Sequence, residues 1–215
     1  IYFFFKETNL HIDKTRAINF FGSIRNLTKI KSLNHEIRYL LIVSFLFNAG
    51  FAFFTSFFNV YLTTKFNYSV GQIGNFFGYI GVCSILTQLL VVRYVSKKFN
   101  NVSILRLAYP AVAVAIIMYL VPTKAWCLLV IVPFFAISNG LQQANFGALL
   151  SSRSDPKKRG ETMGISSSFN SLGQALPPLL AGFIAVAFSA STPIFLASLF
   201  VLAAGILFRV TEKNA

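Results

Sequence analysis

Five stretches of this chain carry no Asp, Glu, Lys or Arg: residues 39–64, 66–92, 107–123, 125–152 and 162–208. A helix needs roughly 20 apolar residues to cross the hydrocarbon of a bilayer. The last stretch is long enough for two crossings, and Ser189-Ala190-Ser191-Thr192-Pro193 supplies the turn that divides it. The reading is six spans, near 39–62, 71–93, 104–121, 125–151, 162–188 and 192–208. Lipid offers no hydrogen bonds to an open backbone, so the expected fold class is an all-α membrane protein.

The net charge of +13 could point to nucleic acid, but its placement argues against that partner. Of the 19 Lys and Arg residues, all but Lys65 and Lys124 fall in alternate loops or ends. All six acidic residues lie on that same side. This asymmetry is a positive-inside signature. It places both ends in the cytoplasm, Lys65 and Lys124 outside, and agrees with an even number of spans. Plasma membrane or bacterial inner membrane is the expected location. Residues 39–209 read as the membrane domain and 210–215 as a cytoplasmic tail. Residues 1–38 read as the end of a truncated preceding helix, IYFFF, followed by a basic linker. Ile18, Phe21, Ile24 and Leu27 give that linker a short amphipathic helix.

Polar residues inside the spans are costly unless they face protein or a water-filled path. On the first helix Ser44, Asn48, Phe51, Thr55, Phe58 and Asn59 share an arc of about 100°. Leu46, Phe53, Phe57 and Val60 lie opposite and suit lipid. Gly74, Gly78 and Gly81 line one face of the second helix and read as a close-packing surface. The fourth helix carries Phe135, Asn139, Gln142, Gln143 and Phe146 on one face. The fifth carries Ser166, Ser167, Asn170, Ser171, Gln174 and Pro177, and its Pro177-Pro178 pair is expected to bend or break it. Helices three and six are almost wholly apolar. The polar load therefore repeats every three helices, and the second triplet starts on the opposite side of the membrane from the first. Inverted triplets are typical of secondary transporters.

The candidate substrate path is Asn48, Phe51, Thr55 and Asn59, then Phe135, Asn139, Gln142, Gln143 and Phe146, then Asn170 and Gln174. Aromatic surface with a few orienting amides suits a small amphipathic molecule. No metal ligands cluster in the spans, and no nucleophile–base or carboxylate pair lies at membrane depth, so neither catalysis nor a cofactor is expected. No charged ring or re-entrant filter marks a channel. The competing reading is a structural or assembly module, or a non-functional fragment, whose amides only join helices.

Two segments carry a family resemblance. ANFGALLSSRSDPKKRGETMGISSSFNSLGQALPPLLAG resembles the tenth and eleventh helices of the major facilitator superfamily, through Pro156, Arg159-Gly160, Gly164, Ser-x-x-x-Leu-Gly and Pro-x-x-x-Gly. FFNVYLTTKFNYSVGQIGNFFGYIG resembles the seventh and eighth helices of its drug:proton antiporter branch, which includes tetracycline and multidrug efflux proteins. The resemblance implies the C-terminal half of a twelve-helix transporter: two inverted three-helix repeats whose partner is a missing N-terminal six-helix half. It implies alternating-access transport of a small molecule, with proton-coupled efflux as the branch's mode. The loop from 92 to 105 is similar to the family's cytoplasmic loop motif and implies a cytoplasmic loop or gate role for Arg93, Lys97 and Lys98, as the tenth-to-eleventh-helix resemblance does for Arg159 and Gly160. That copy lacks the family's Asp and has Asn100 where Gly is common.

Overall fold

Every charge-free run forms a helix, and the longest forms two. The computed structural model describes residues 34–187, 189 and 191–212, with only the backbone at 181 and 184–186. The truncated helix, the amphipathic segment at 18–27 and most of the linker lie outside the described residues. Helix α1 is His35–Phe66. Helix α2 runs from Val70 to Lys98 and includes a π-helical stretch, Thr87–Val92, that no sequence signal announced. Helices α3 (Asn101–Met118), α4 (Trp126–Arg153), α5 (Arg159–Ala187) and α6 (Thr192–Thr211) follow among the described residues.

Local chemistry fixes the ends. Asn67 closes α1 in a left-handed conformation (φ 53°), which asparagine tolerates better than most residues. Ser69 and Gln72 then form a reciprocal capping box that starts α2. Asn34 occupies the cap position of α1 but makes no capping side-chain bond. Pro177 and Pro178 sit inside α5 without interrupting it, as do Pro110 in α3 and Pro133 in α4. The expected break is therefore not observed.

Among the described residues five helices are long and apolar enough to cross a membrane: α1, α2, α3, α4 and α6. Helix α5 is of similar length, 29 residues, and carries a Ser, Asn and Gln stripe. Packing follows the order α5, α1, α6, α3, α4, α2. Neighbours in that order touch along their lengths, whereas α4 and α5 scarcely touch each other.

The core lies where α1, α3, α4 and α6 meet. Rings of Phe54, Phe58, Tyr119 and Phe135 form one cluster there. Tyr61 donates to the Tyr119 carbonyl (3.0 Å), and Lys65 Nζ donates to Tyr61 Oη (2.8 Å) and the Leu120 carbonyl (2.7 Å). These bonds tie the end of α1 to the end of α3. Phe53, expected to face lipid, is instead buried and packs against Phe200 of α6. Apolar side chains suit lipid and a neighbouring helix equally, so hydrophobicity could not separate the two.

Close approach depends on other glycines than the sequence indicated. Gly74, Gly78 and Gly81 have open space at their Cβ positions, so none of the described helices packs closely on that face. At Gly50 a Cβ would lie 2.7 Å from the Ala197 carbonyl of α6. A backbone oxygen cannot rotate away, so Gly50→Ala is expected to destabilise the array by about 1–3 kcal/mol. Thermal unfolding in detergent measures this; an unchanged midpoint would mean that α1 and α6 are not so tightly apposed.

Candidate functional site

Amides in an apolar layer need partners, and those of α1 and α5 find each other. Asn48 Nδ2 donates to the Ser44 carbonyl (2.8 Å) and to Asn170 Oδ1 (3.1 Å). The Ser44 hydroxyl also donates to Asn170 Oδ1. One turn along, Gln174 Nε2 donates to Asn48 Oδ1 (3.1 Å). The helices approach closely because position 173 is glycine: a Cβ there would lie 2.9 Å from the Phe45 carbonyl. Ser44, Asn48, Asn170 and Gln174 thus form a polar clasp at the α1–α5 contact.

Helix α4 reaches α1 mainly through rings, with Phe51 stacked on Phe135 at 6.3 Å between centroids. Between α4 and α5 a cavity of about 440 Å³ remains. The clasp and Phe47 and Phe51 of α1 form one wall. Gln142, Gln143, Phe146, Gly147 and Leu150 form the α4 wall, and Met163, Ser166 and Ser167 join Asn170 and Gln174 on α5. No lining residue is charged. Recognition there must come from amides, hydroxyls and aromatic surface.

The two glutamines of α4 differ. Gln142 is buried; its Nε2 donates to Tyr109 Oη of α3 (3.3 Å), and its Oε1 has no partner among the described residues. That oxygen is itself buried and does not open onto the cavity. Gln143 is exposed in the cavity and has no hydrogen-bond partner among the described residues.

The structure therefore brings together Asn48, Phe51, Gln142, Gln143, Phe146, Asn170 and Gln174. It does not place the other four expected path residues on the cavity. Thr55 and Asn59 are exposed one and two turns farther along α1, with Thr55 Oγ1 donating to the Phe51 carbonyl (3.1 Å). Phe135 is a core residue. Asn139 is partly buried, with Oδ1 unpaired among the described residues. Ser44, Ser166 and Ser167 were legible on the polar arcs but not singled out; Phe47 and Met163 carried no signal that distinguished them from core. Arg93, Lys97 and Lys98 lie on the last turns of α2, and Arg159 and Gly160 on the first turn of α5, all exposed.

An ion cluster that sequence reasoning missed joins the ends of α4 and α6. Arg153 donates through Nη1 (2.6 Å) and Nη2 (2.7 Å) to the two carboxylate oxygens of Glu212, with Glu36 at 3.9 Å from its Nε. Among the described residues no group of three His, Cys, Asp or Glu side chains is arranged to hold a metal.

The sequence profile of the Major Facilitator Superfamily matches residues 40–215. No curated protein matches the chain.

Proposed function

Because the chain belongs to the major facilitator superfamily, a family of membrane transporters, we propose that it carries a small amphipathic molecule through the α1–α4–α5 cavity by alternating access. One observation carries this reading: polar residues from three helices converge on a single uncharged cavity, in an otherwise apolar multi-pass protein. A purely structural role would leave amides paired across helices, and the exposed, unpartnered Gln143 does not fit that pattern.

The finer reading has α5 as the sixth span and two inverted triplets, α1–α3 and α4–α6. Exchanging the triplets returns the packing order α5, α1, α6, α3, α4, α2 read backwards, which supports it. A second six-helix array would cover the exposed faces of α2 and α5, where Val82, Ile85, Leu176 and Leu179 stand uncovered. The branch resemblance makes the direction efflux and the coupling ion a proton. The α1, α4 and α5 walls offer no carboxylate or imidazole to bind that proton, so it must titrate elsewhere in the complete protein. Both ends are cytoplasmic in this reading.

The test uses the complete protein in proteoliposomes with a panel of lipophilic amines and neutral amphipathic compounds. A compound that is moved saturably should also protect Gln143→Cys from a water-soluble maleimide. Saturable flux with no protection would move the substrate path away from this cavity. Orientation has its own expected result: Lys124→Cys should react with an impermeant reagent applied to intact cells, and Lys157→Cys should not. Outside labelling of position 157 would reverse the topology.

A further inference from the structure

At the α3–α6 seam, at the end of the array that bears the basic loops, lies a shallow groove of about 520 Å³. Arg106, Arg209, Ile206 and Val210 line it. Arg209 donates through Nε (3.3 Å) and Nη2 (3.0 Å) to the Arg106 carbonyl. Arg106 in turn donates through Nη2 to the Glu212 carbonyl (3.0 Å). Each guanidinium is thus held in place by a neutral backbone oxygen. The nearby Glu212 carboxylate is already occupied by Arg153 through both oxygens. Two fixed positive charges therefore stand side by side without a carboxylate partner among the described residues.

Their depth is informative. Arg106 lies in the second turn of α3 and Arg209 in the last turn of α6, the level at which a spanning helix meets lipid headgroups. From Val210 an exposed apolar stripe of Ile206, Leu202 and Leu199 runs along α6 towards the membrane interior. Positive charge at the headgroup level above an uncovered apolar stripe is complementary to one kind of molecule.

We propose that this groove binds an anionic phospholipid, with its phosphate between Arg106 and Arg209 and an acyl chain along Ile206, Leu202 and Leu199. Remaining N–H donors on both guanidiniums match phosphate oxygens in a fork geometry. A zwitterionic lipid has the phosphate but adds a cation that the pair repels. Free phosphate has no chain for the stripe. The proposal rests on membrane embedding and not on the transport reading, so its test needs no transported substrate.

The complete protein is stripped of lipid in detergent, then offered equal amounts of dioleoyl phosphatidylglycerol and dioleoyl phosphatidylcholine. Retained lipids are counted by native mass spectrometry. Phosphatidylglycerol should be retained selectively. Each arginine near the surface strengthens anionic-lipid binding about fivefold, so Arg106→Gln with Arg209→Gln should reduce the selectivity roughly thirtyfold. Lys157→Gln with Lys158→Gln removes the same charge from an exposed loop and should leave it in place. Selectivity that survives loss of both arginines, or falls equally in the loop variant, overturns the site in favour of diffuse electrostatic attraction. Inorganic phosphate that displaces the lipid at comparable concentration would overturn the role of the stripe. Should the double arginine variant fail to fold, Arg209→Gln alone carries the test, with about a fivefold loss expected.

Discussion

Gln143→Leu is expected to reduce transport by about tenfold or more while leaving the amount of folded protein in the membrane unchanged. The amide projects into the cavity and holds no other described residue, so removing it takes a bond from the substrate and not from the fold. Leucine is close in length and a good helix former, so α4 keeps its local preference. Asn170→Leu should behave differently. Asn170 Oδ1 accepts from both Ser44 and Asn48, and its loss leaves two donors at the α1–α5 contact without their partner. Transport and folded yield should fall together in that variant. Flux in proteoliposomes, set against yield from size-exclusion chromatography, separates the two results. Loss of folded protein in Gln143→Leu would make that residue structural; full activity in both variants would remove the cavity from the transport path.

Arg153→Ala should be the most destabilising single change at the α4–α6 end, by about 2–4 kcal/mol. The Glu212 side chain is 4% exposed, and Arg153 satisfies both of its oxygens. Without the guanidinium, a nearly buried carboxylate is left without its cation, and that desolvation cost falls on the folded state. Partial exposure of Arg153, at 21%, places the effect towards the lower part of the range for buried pairs. The double variant Arg153→Met with Glu212→Leu removes both charges and should recover much of the loss. Glu36→Gln should change little, because its carboxylate is 57% exposed and 3.9 Å from Arg153. Thermal unfolding in detergent distinguishes these variants; a double variant no more stable than Arg153→Ala would show that the pair's value lies elsewhere.

Charge-free runs of bilayer length were enough to determine that this chain is helical and where the helices lie. Lipid leaves the backbone no other way to satisfy its polar groups, and charges mark the ends. The polar arcs were legible for the same reason: an amide at depth must face something other than lipid, so Asn48, Gln142, Gln143, Asn170 and Gln174 stood out by periodicity alone. What an apolar residue faces was not legible. Phe53 packs on α6 and Phe135 sits in the core, while Gly74, Gly78 and Gly81 face open space, and no hydrophobicity pattern tells lipid from a neighbouring helix. Nor could periodicity say how far along a polar arc the cavity extends. Asn59 and Asn48 share an arc, yet only Asn48 lies where α5 crosses close enough to hydrogen-bond it. The Arg153–Glu212 pair was not legible, because each partner reads as an ordinary charge at a helix end and the two meet only when the ends of α4 and α6 come together. Helix identity is a local solvation property and is written in the chain; which faces meet depends on distances between helices, and only the packed array sets those.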